Sequence, residues 1–322
     1  MKSTVVSLLS LAFIAPTLPA PTGISVFGVF VATSPCDAVS RSLLKIPETT
    51  SCELIKWRLT LYQEPRTLAP ATYRLSYVYG LPQQGTNGIS QGGTKVEREG
   101  KWAIVRGRNT EALIYQLNPD RPQESLSFQM INKNLLHLLQ RDESLMIGNA
   151  GWSYTLSGEG DFGRHTRQAR PQSISRPKPG SRTASASSVI ADSAIVETFV
   201  GRSPCREVAR ELNKAVDADC MKLKWDLTLN HDPVTRIPTT YRLKGTLYRE
   251  RIGEGRWAIV KGTKTNPEAV VYQLDPDKAA GSLFFLKADN SILFFLDKER
   301  NLLKGNGDFS YTLNRTNDAL KN

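Results

Sequence analysis

The chain has 322 residues, enough for about two domains of ordinary size. Its hydrophobic content of 40 % excludes a broadly disordered chain. Its formal net charge of +11 leaves contact with an anionic surface open, and no segment beyond the N-terminus is long and apolar enough to predict a transmembrane helix.

The first 20 residues have the pattern of a secretory signal peptide. Lys2 precedes a short apolar run at 5–14, and small residues follow as far as Ala20. This run is shorter than the roughly 20 residues that a transmembrane helix needs. We expect cleavage near Ala20 and export to the periplasm or the exterior, where an even number of cysteines usually forms disulfides.

The rest of the sequence contains two copies of one domain. Residues 112–156 align without a gap with residues 269–313, at a constant shift of 157, and 18 of the 45 positions are identical. This period is far longer than the repeat of a solenoid, so it indicates a duplicated domain. The expected segments are a signal peptide at 1–20, copy one at 24–156, a linker at 157–193, copy two at 194–314 and a tail at 315–322.

Alternating apolar residues predict antiparallel strands in each copy. In copy two, Met221, Leu223, Trp225, Leu227 and Leu229 fall on one face of the first predicted strand. Six further apolar segments follow, separated by turn sequences every 8–12 residues. Seven or eight such strands indicate a barrel or a sandwich, and closure into a barrel is favoured because it leaves no exposed edges.

One short helix is expected near the first cysteine of each copy. Ser203 is a suitable N-cap and Pro204 suits the first helical position, and Ser34 and Pro35 begin copy one in the same way. The apolar residues that share one face of the second helix are Val208, Ala209, Leu212 and Val216. The predicted fold class is therefore mainly β, with two tandem barrels that each carry one short helix.

Copy one has an insertion, and the linker is basic. Residues 80–95 of copy one, rich in Gly, Gln, Ser and Asn, replace a tight turn of copy two and predict a surface hairpin loop. The linker is rich in Ser, Arg and Pro, which is typical of a flexible tether. Its positive residues could also contact an anionic surface; they are Arg164, Arg167, Arg170, Arg176, Lys178 and Arg182.

The four cysteines form one pair in each copy, Cys36 with Cys52 and Cys205 with Cys220. One of each pair lies at the predicted helix and the other just before the first long strand, so a disulfide between them is geometrically possible. Such a bridge is the favoured interpretation, with metal binding and redox chemistry as alternatives.

A metal site in copy two would need free thiols. Cys205 and Cys220 would then act with Met221 and His231, which are soft and borderline ligands. Copy one has Glu53 in place of Met221 and Gln63 in place of His231, so the two copies do not share this set of ligands.

No catalytic residue is predicted. The copies share no Ser-His-Asp or Cys-His arrangement. His137 aligns with Phe294 in an apolar strand and is expected to pack there, and Asp275 and Asp277 flank a proline in a predicted turn.

The order of short motifs resembles the amino-terminal domain of NlpE-type copper-resistance proteins. The motifs in copy two are VGRSPC at 200–205, KWDLTL at 224–229, TYRL at 240–243, GRW at 255–257, LFFLD at 293–297 and YTL at 311–313. The resemblance implies a small lipocalin-like barrel in each copy and a role in copper tolerance and envelope-stress sensing. The family has a Pro-Cys-x-x-Cys segment, so all four cysteines would occupy the matching positions, although they are separated here by 15 and 14 residues.

We therefore predict a non-enzymatic binding or sensing protein of the cell envelope, soluble after export because no cysteine near the signal peptide could carry a lipid. Copper enters only through the resemblance. The partner is an unspecified envelope ligand or protein, and no specific nucleic-acid binding is expected. Two alternatives remain: a tandem secreted interaction or adhesion module, and a secreted hydrolase, which requires a polar cluster inside a barrel.

Overall fold

The computed structural model describes residues 23–108, 111–160, 195–213, 215, 220–245, 253–278 and 281–316. The expected signal peptide, the six basic residues of the linker and residues 248–252 of the turn that stands in copy two in place of the insertion lie outside these ranges. Within them, no helix is long and apolar enough to cross a bilayer.

The first barrel, barrel one, contains eight strands and one α-helix. The strands are β1 (Ser25–Pro35), β2 (Leu54–Gln63), β3 (Pro70–Gly80), β4 (Thr94–Arg106), β5 (Leu113–Leu117), β6 (Leu126–Asn132), β7 (Leu135–Leu138) and β8 (Thr155–Gly158). Helix α1 is Ala38–Leu44, and two short 3-10 turns are Ser90–Gly92 and Pro122–Glu124.

The second barrel, barrel two, repeats this order. Its strands are β9 (Ile195–Ser203), β10 (Leu223–His231), β11 (Pro238–Gly245), β12 (Glu254–Lys261), β13 (Val270–Leu274), β14 (Leu283–Lys287), β15 (Ile292–Leu296) and β16 (Thr312–Thr316). Helix α2 is Arg206–Glu211 and follows the first strand, as α1 does in barrel one.

Each barrel is closed by its first strand. Consecutive strands pair antiparallel, and β1 pairs with both β2 and β8, while β9 pairs with both β10 and β16. The prediction of two tandem antiparallel barrels, each with one short helix, is confirmed. The closing strands β1 and β9 were not identified as strands from the sequence. They precede the helices, whereas the alternating segments that predicted strands follow them.

Alternation places one face of each strand in the core. Leu223, Trp225, Leu227 and Leu229 of β10 are buried, with exposures of 3 % or less, whereas Lys224 is exposed and Asp226 and Thr228 are partly exposed. Met221 was expected on this inward face, but the strand begins only at Leu223 and Met221 is 49 % exposed.

The predicted helix caps were wrong. Helix α1 begins after Asp37, whose side chain accepts a hydrogen bond from the backbone N–H of Ser40, and Ser40 caps Asp37 in return. Ser34 instead lies at the end of β1, where its hydroxyl accepts a 2.7 Å hydrogen bond from the indole N–H of Trp57. Ser203 does the same for Trp225, at 2.8 Å. These serines satisfy buried indole donors, a long-range demand that a local capping pattern cannot show.

A glycine precedes the tryptophan of β4 and of β12 for a steric reason. A Cβ atom on Gly100 would lie 2.2 Å from Oδ1 of Asn118, and one on Gly255 would lie 2.1 Å from Oδ1 of Asp275. Asn118 and Asp275 occupy the same position in the two copies and both have a left-handed backbone, with φ of 51° and 52°. Their side chains therefore point over the glycine backbone, and only glycine leaves room for them.

The two barrels pack together through equivalent surfaces. The hydroxyls of Ser153 and Ser310 lie 2.6 Å apart, and those of Thr155 and Thr312 lie 2.9 Å apart. Both pairs are 157 residues apart, which is the shift that relates the copies. A residue that contacts its own counterpart lies close to a two-fold axis, so the tandem copies form an isologous, dimer-like pair within one chain.

An apolar cluster fills the centre of this interface. It contains buried residues of both barrels, Ile114, Leu139, Leu145, Ile292 and Phe294. Polar contacts surround it: Thr33 donates a 2.7 Å hydrogen bond to the carbonyl of Gly307, and Lys56 forms a 2.7 Å salt bridge with Asp308. The relative position of the barrels is therefore set by packing between their surfaces.

Candidate functional site

The cysteines hold each helix at the end of its barrel. Cys36 is bonded to Cys52 and Cys205 to Cys220, with Cα atoms 5.7 and 6.1 Å apart. The described residues contain no free cysteine. The first bond links the end of β1 to the start of β2, and the second links the end of β9 to the start of β10. Each helix therefore lies within a loop of the chain that a disulfide closes.

A tyrosine from the last strand region anchors each helix from inside the barrel. The hydroxyl of Tyr154 donates a 2.6 Å hydrogen bond to Oδ2 of Asp37, and Tyr311 donates to the carboxylate of Glu207. Burial is the main cause that raises the pKa of both phenols, and the adjacent carboxylate raises it further. These groups stay protonated and act as hydrogen-bond donors, which is a structural role.

The conditional metal set of copy two is not brought together. Both thiols of Cys205 and Cys220 are in a disulfide, so they are not available as thiolate ligands. His231 lies at the far end of the nine-residue strand β10, roughly 27 Å along the strand from its start beside Cys220. His231 contacts Glu197 at 3.3 Å and the ring of Trp257 at 4.9 Å instead. These residues do not fit a copper site.

The barrel interiors are filled by side chains. The core of barrel one includes Trp57, Leu59, Tyr77 and Phe128, all exposed by 3 % or less, and barrel two is packed in the same way. The indole groups of Trp102 and Trp257 are buried and donate to the backbone carbonyls of residues 62 and 230. The interior polar groups thus have local structural partners.

His137 is fully buried between the barrels and not inside one. Its ring nitrogens lie 2.9 Å from Oγ1 of Thr155 and 2.9 Å from the carbonyl oxygen of Met146, and its ring packs edge-on against Phe294. Burial lowers the pKa of His137 to about 4, against smaller opposing effects of the Met146 carbonyl and Asp289. The expected packing role therefore belongs to the interface, where His137 meets its own counterpart.

A cleft between the barrels has the features of a binding site. It has a volume of about 570 Å³, within the ordinary range of small-molecule sites. Four pairs of equivalent residues line it: Thr33 with Arg202, Leu54 with Lys222, Gly151 with Asp308, and Trp152 with Phe309. The cleft therefore lies across the pseudo-two-fold axis, and its two halves differ in chemistry.

The insertion of copy one forms a wall of this cleft. Residues 82–88 line it, and the amide of Asn87 donates a 3.1 Å hydrogen bond to Oδ2 of Asp308 in barrel two. Pro82 and Ile89 pair as a β-bridge at the base of the loop. The insertion was expected to be a surface hairpin loop, and its contact with the other barrel could not be anticipated from its composition.

The cationic half of the cleft comes from copy two. The guanidinium of Arg202 lies over the ring of Trp152, with 5.8 Å to the centroid, and the ammonium of Lys222 lies 5.5 Å from the centroid of Phe309. The buried Nε of Arg202 has no hydrogen-bond partner among the described residues. Burial lowers the pKa of Lys222, and the positive charges of Arg202 and Lys224 lower it further.

Sequence reasoning did not select Arg202, Lys222 or Trp152. A signal for the first two was present, because the aligned copies have Thr33 and Leu54 at these positions, a gain of two positive charges in copy two. Nothing local distinguished them from solvated charges, since the cleft forms only when the barrels pack.

Comparison with protein families agrees with this architecture. The model of the NlpE N-terminal domain matches residues 217–306. Barrel two is similar to the NlpE N-terminal domain. The match begins just before β10 and ends before β16, so it excludes barrel one, which has the same strand order and closure. Neither the curated proteins nor the solved structures give a match.

Proposed function

We propose that this chain is an exported binding or sensing protein of the cell envelope, without catalytic activity of its own. The observation that carries this proposal is the similarity of barrel two to the NlpE N-terminal domain, a family linked to copper tolerance and envelope stress. The two disulfides support export, because such bonds form and persist in oxidising compartments.

The proposed role in copper tolerance does not use thiolate binding. All four cysteines are in disulfides, and within the described ranges no three His, Cys, Asp or Glu side chains are grouped as metal ligands. The response to copper or envelope stress would then depend on binding through the protein surface. The inter-barrel cleft is the part of the described structure best suited to it.

The filled barrels argue against a secreted hydrolase. That alternative requires a polar cluster inside at least one barrel, whereas the interior polar groups here serve to hold tryptophans and helices in place. A small barrel can enclose a ligand only if side chains leave space for it.

Cell fractionation with thiol counting tests export. We expect a tagged chain in the osmotic-shock fraction, with a mass that fits removal of about 20 residues and no thiol available to an alkylating reagent before reduction. A strain lacking the protein should be more sensitive to copper or to envelope stress. Cytoplasmic protein with free thiols would overturn the proposal, and so would a deletion without phenotype under both stresses.

The basic linker is proposed to contact an anionic partner such as lipid headgroups, without specific nucleic-acid binding. Its six basic residues lie outside the described part of the chain, and their charge alone supports this proposal. Co-sedimentation with anionic and neutral vesicles tests it. Replacing the six basic residues with glutamine should abolish binding to the anionic vesicles.

A further inference from the structure

We infer that the cleft between the barrels binds a small organic anion, whose carboxylate or phosphate group lies between Arg202 and Lys222. This inference names a ligand class for the binding role proposed above and rests on it. Four features of the cleft carry it: its uncompensated positive charge, the origin of that charge in copy two alone, its aromatic walls, and the loop that encloses it.

The positive charges of Arg202 and Lys222 are not neutralised by neighbouring acids. Neither side chain has a salt bridge among the described residues, and all the charges that act appreciably on Lys222 are positive. Two acids also line the cleft, but Asp308 is engaged by Lys56 and Asn87, and Glu53 is exposed. Two partly buried cations that repel each other are stabilised by an anion placed between them.

The geometry of Arg202 favours an oxyanion. The guanidinium lies over the Trp152 ring, 5.8 Å from its centroid, and the partnerless Nε is a buried donor, which is costly unless something accepts its hydrogen bond. A guanidinium held in this way binds carboxylate and phosphate groups through two parallel hydrogen bonds. The ammonium of Lys222 supplies a second, more adaptable donor.

The walls and the size of the cleft favour an organic body rather than an inorganic ion alone. Trp152 and Phe309 stand on the two sides of the pseudo-two-fold axis. A volume of about 570 Å³ is much larger than a free phosphate or acetate needs. An aromatic or apolar group attached to the anion would pack against these side chains.

The equivalent residues of copy one carry no charge and have structural roles. At the equivalent positions, Thr33 donates to the carbonyl of Gly307 and closes a contact between the barrels, and Leu54 is 2 % exposed and packed. These residues serve the interface, whereas Arg202 and Lys222 line the cleft beside Trp152 and Phe309 and have no acidic partner among the described residues. The insertion at 82–88 then encloses that space from the side of barrel one.

Fluorescence of Trp152 provides a direct measurement on the purified, oxidised full chain. The other four tryptophans are each 3 % exposed, so Trp152 is the indole that a ligand in the cleft can reach. The probes are phenyl phosphate and benzoate, compared with inorganic phosphate and acetate. We expect saturable quenching by at least one aromatic anion, weaker binding of the matching inorganic or aliphatic anion, and lower affinity at high salt.

Substitutions with the residues of copy one supply matched variants. Arg202→Thr and Lys222→Leu should each lower the affinity for the aromatic anion by about tenfold or more, and the double variant should not bind it. Lys261→Gln, an exposed change of equal charge on the same barrel, should bind as the wild type does. Thermal unfolding without ligand should be little changed, because removing two cations that repel each other does not require repacking of the core.

Preference for phenyl phosphate or for benzoate would identify the anionic group, and either result supports the inference. Absence of saturable quenching by both aromatic anions at millimolar concentration overturns it, as does equal binding by the double variant. This failure is separate from failure of the proposed function. A chain that binds no anion can still be exported and can still protect cells from copper, whereas a chain that binds an anion in vitro can be cytoplasmic.

Discussion

Barrels one and two have the same strands and the same closure, but they present different chemistry at the surface where they meet. Barrel one contributes Thr33, Leu54 and His137, and barrel two contributes Arg202, Lys222 and Phe294 at the corresponding positions. In the first two pairs, copy one has a neutral residue that pairs or packs and copy two has a positive charge, whereas in the third a buried imidazole packs against a phenyl ring. Duplication followed by fusion lets the two halves of a symmetric interface diverge, which two identical subunits cannot do.

The largest expected effect comes from breaking the interface at Phe294, which is 1 % exposed and in contact with both His137 and the shared apolar cluster. Phe294→Ala should lower the free energy of unfolding by about 3–5 kcal/mol through loss of buried area and the cavity left behind. It should also separate the unfolding of the two barrels in a calorimetric scan.

Phe285→Ala is the control for this prediction. Phe285 is equally buried but lies in the core of barrel two. Its loss should destabilise that barrel without affecting its contact with barrel one. If both variants melt in the same pattern, the interface does not couple the barrels.

Removing the disulfides compares the two copies directly. The bonds close loops of 16 and 15 residues, so the chain-entropy account predicts nearly equal losses of about 3 kcal/mol for Cys36→Ala with Cys52→Ala and for Cys205→Ala with Cys220→Ala. Denaturant unfolding measures both. A clearly larger loss in one barrel would show that its helix depends on the bond for more than loop closure.

Acid should destabilise the protein through His137. Its pKa is about 4 in the folded protein and near 6.5 when unfolded, so the unfolded state binds more protons between these values. The neutral imidazole contributes its full stabilisation above pH 6.5. The free energy of unfolding then falls by on the order of 3 kcal/mol as the pH decreases towards 4. Denaturant unfolding measured between pH 7 and 4 tests this.

His137→Phe introduces the residue of the other copy and should remove most of this pH dependence. The carbonyl of Met146 then loses a partner, so a modest loss at pH 7 is expected as well. An unchanged pH profile in this variant would mean that other groups cause the acid sensitivity.

The smallest effects are expected from the tyrosines that hold the helices. Tyr154→Phe and Tyr311→Phe each remove a hydrogen bond to a carboxylate, of Asp37 and Glu207, and should cost about 1–2 kcal/mol. Tyr62→Phe, at a partly exposed side chain, should change stability by less than about 0.5 kcal/mol. If Tyr154→Phe and Tyr311→Phe were as stable as the control Tyr62→Phe, the tyrosine hydrogen bonds would not contribute to holding the helices, and the disulfides would be sufficient.

Residue patterns along the chain determined the class and the number of the domains. Period-two alternation is a local property of strands buried on one face, and a duplicated sequence must adopt the same fold twice, so two β-barrels followed from Leu, Trp and Tyr spacing and from the shift of 157.

The tertiary structure decided which residues share a site. Ser34 and Ser203 have the local features of helix caps, but they hydrogen-bond to buried indoles because those donors have no other partner. In the sequence alone, Arg202 in β9 and Lys222 just before β10 resemble ordinary surface charges. They become a paired, partly buried set only because the barrels pack about a pseudo-two-fold axis, and that arrangement depends on shape and burial between segments far apart in the chain.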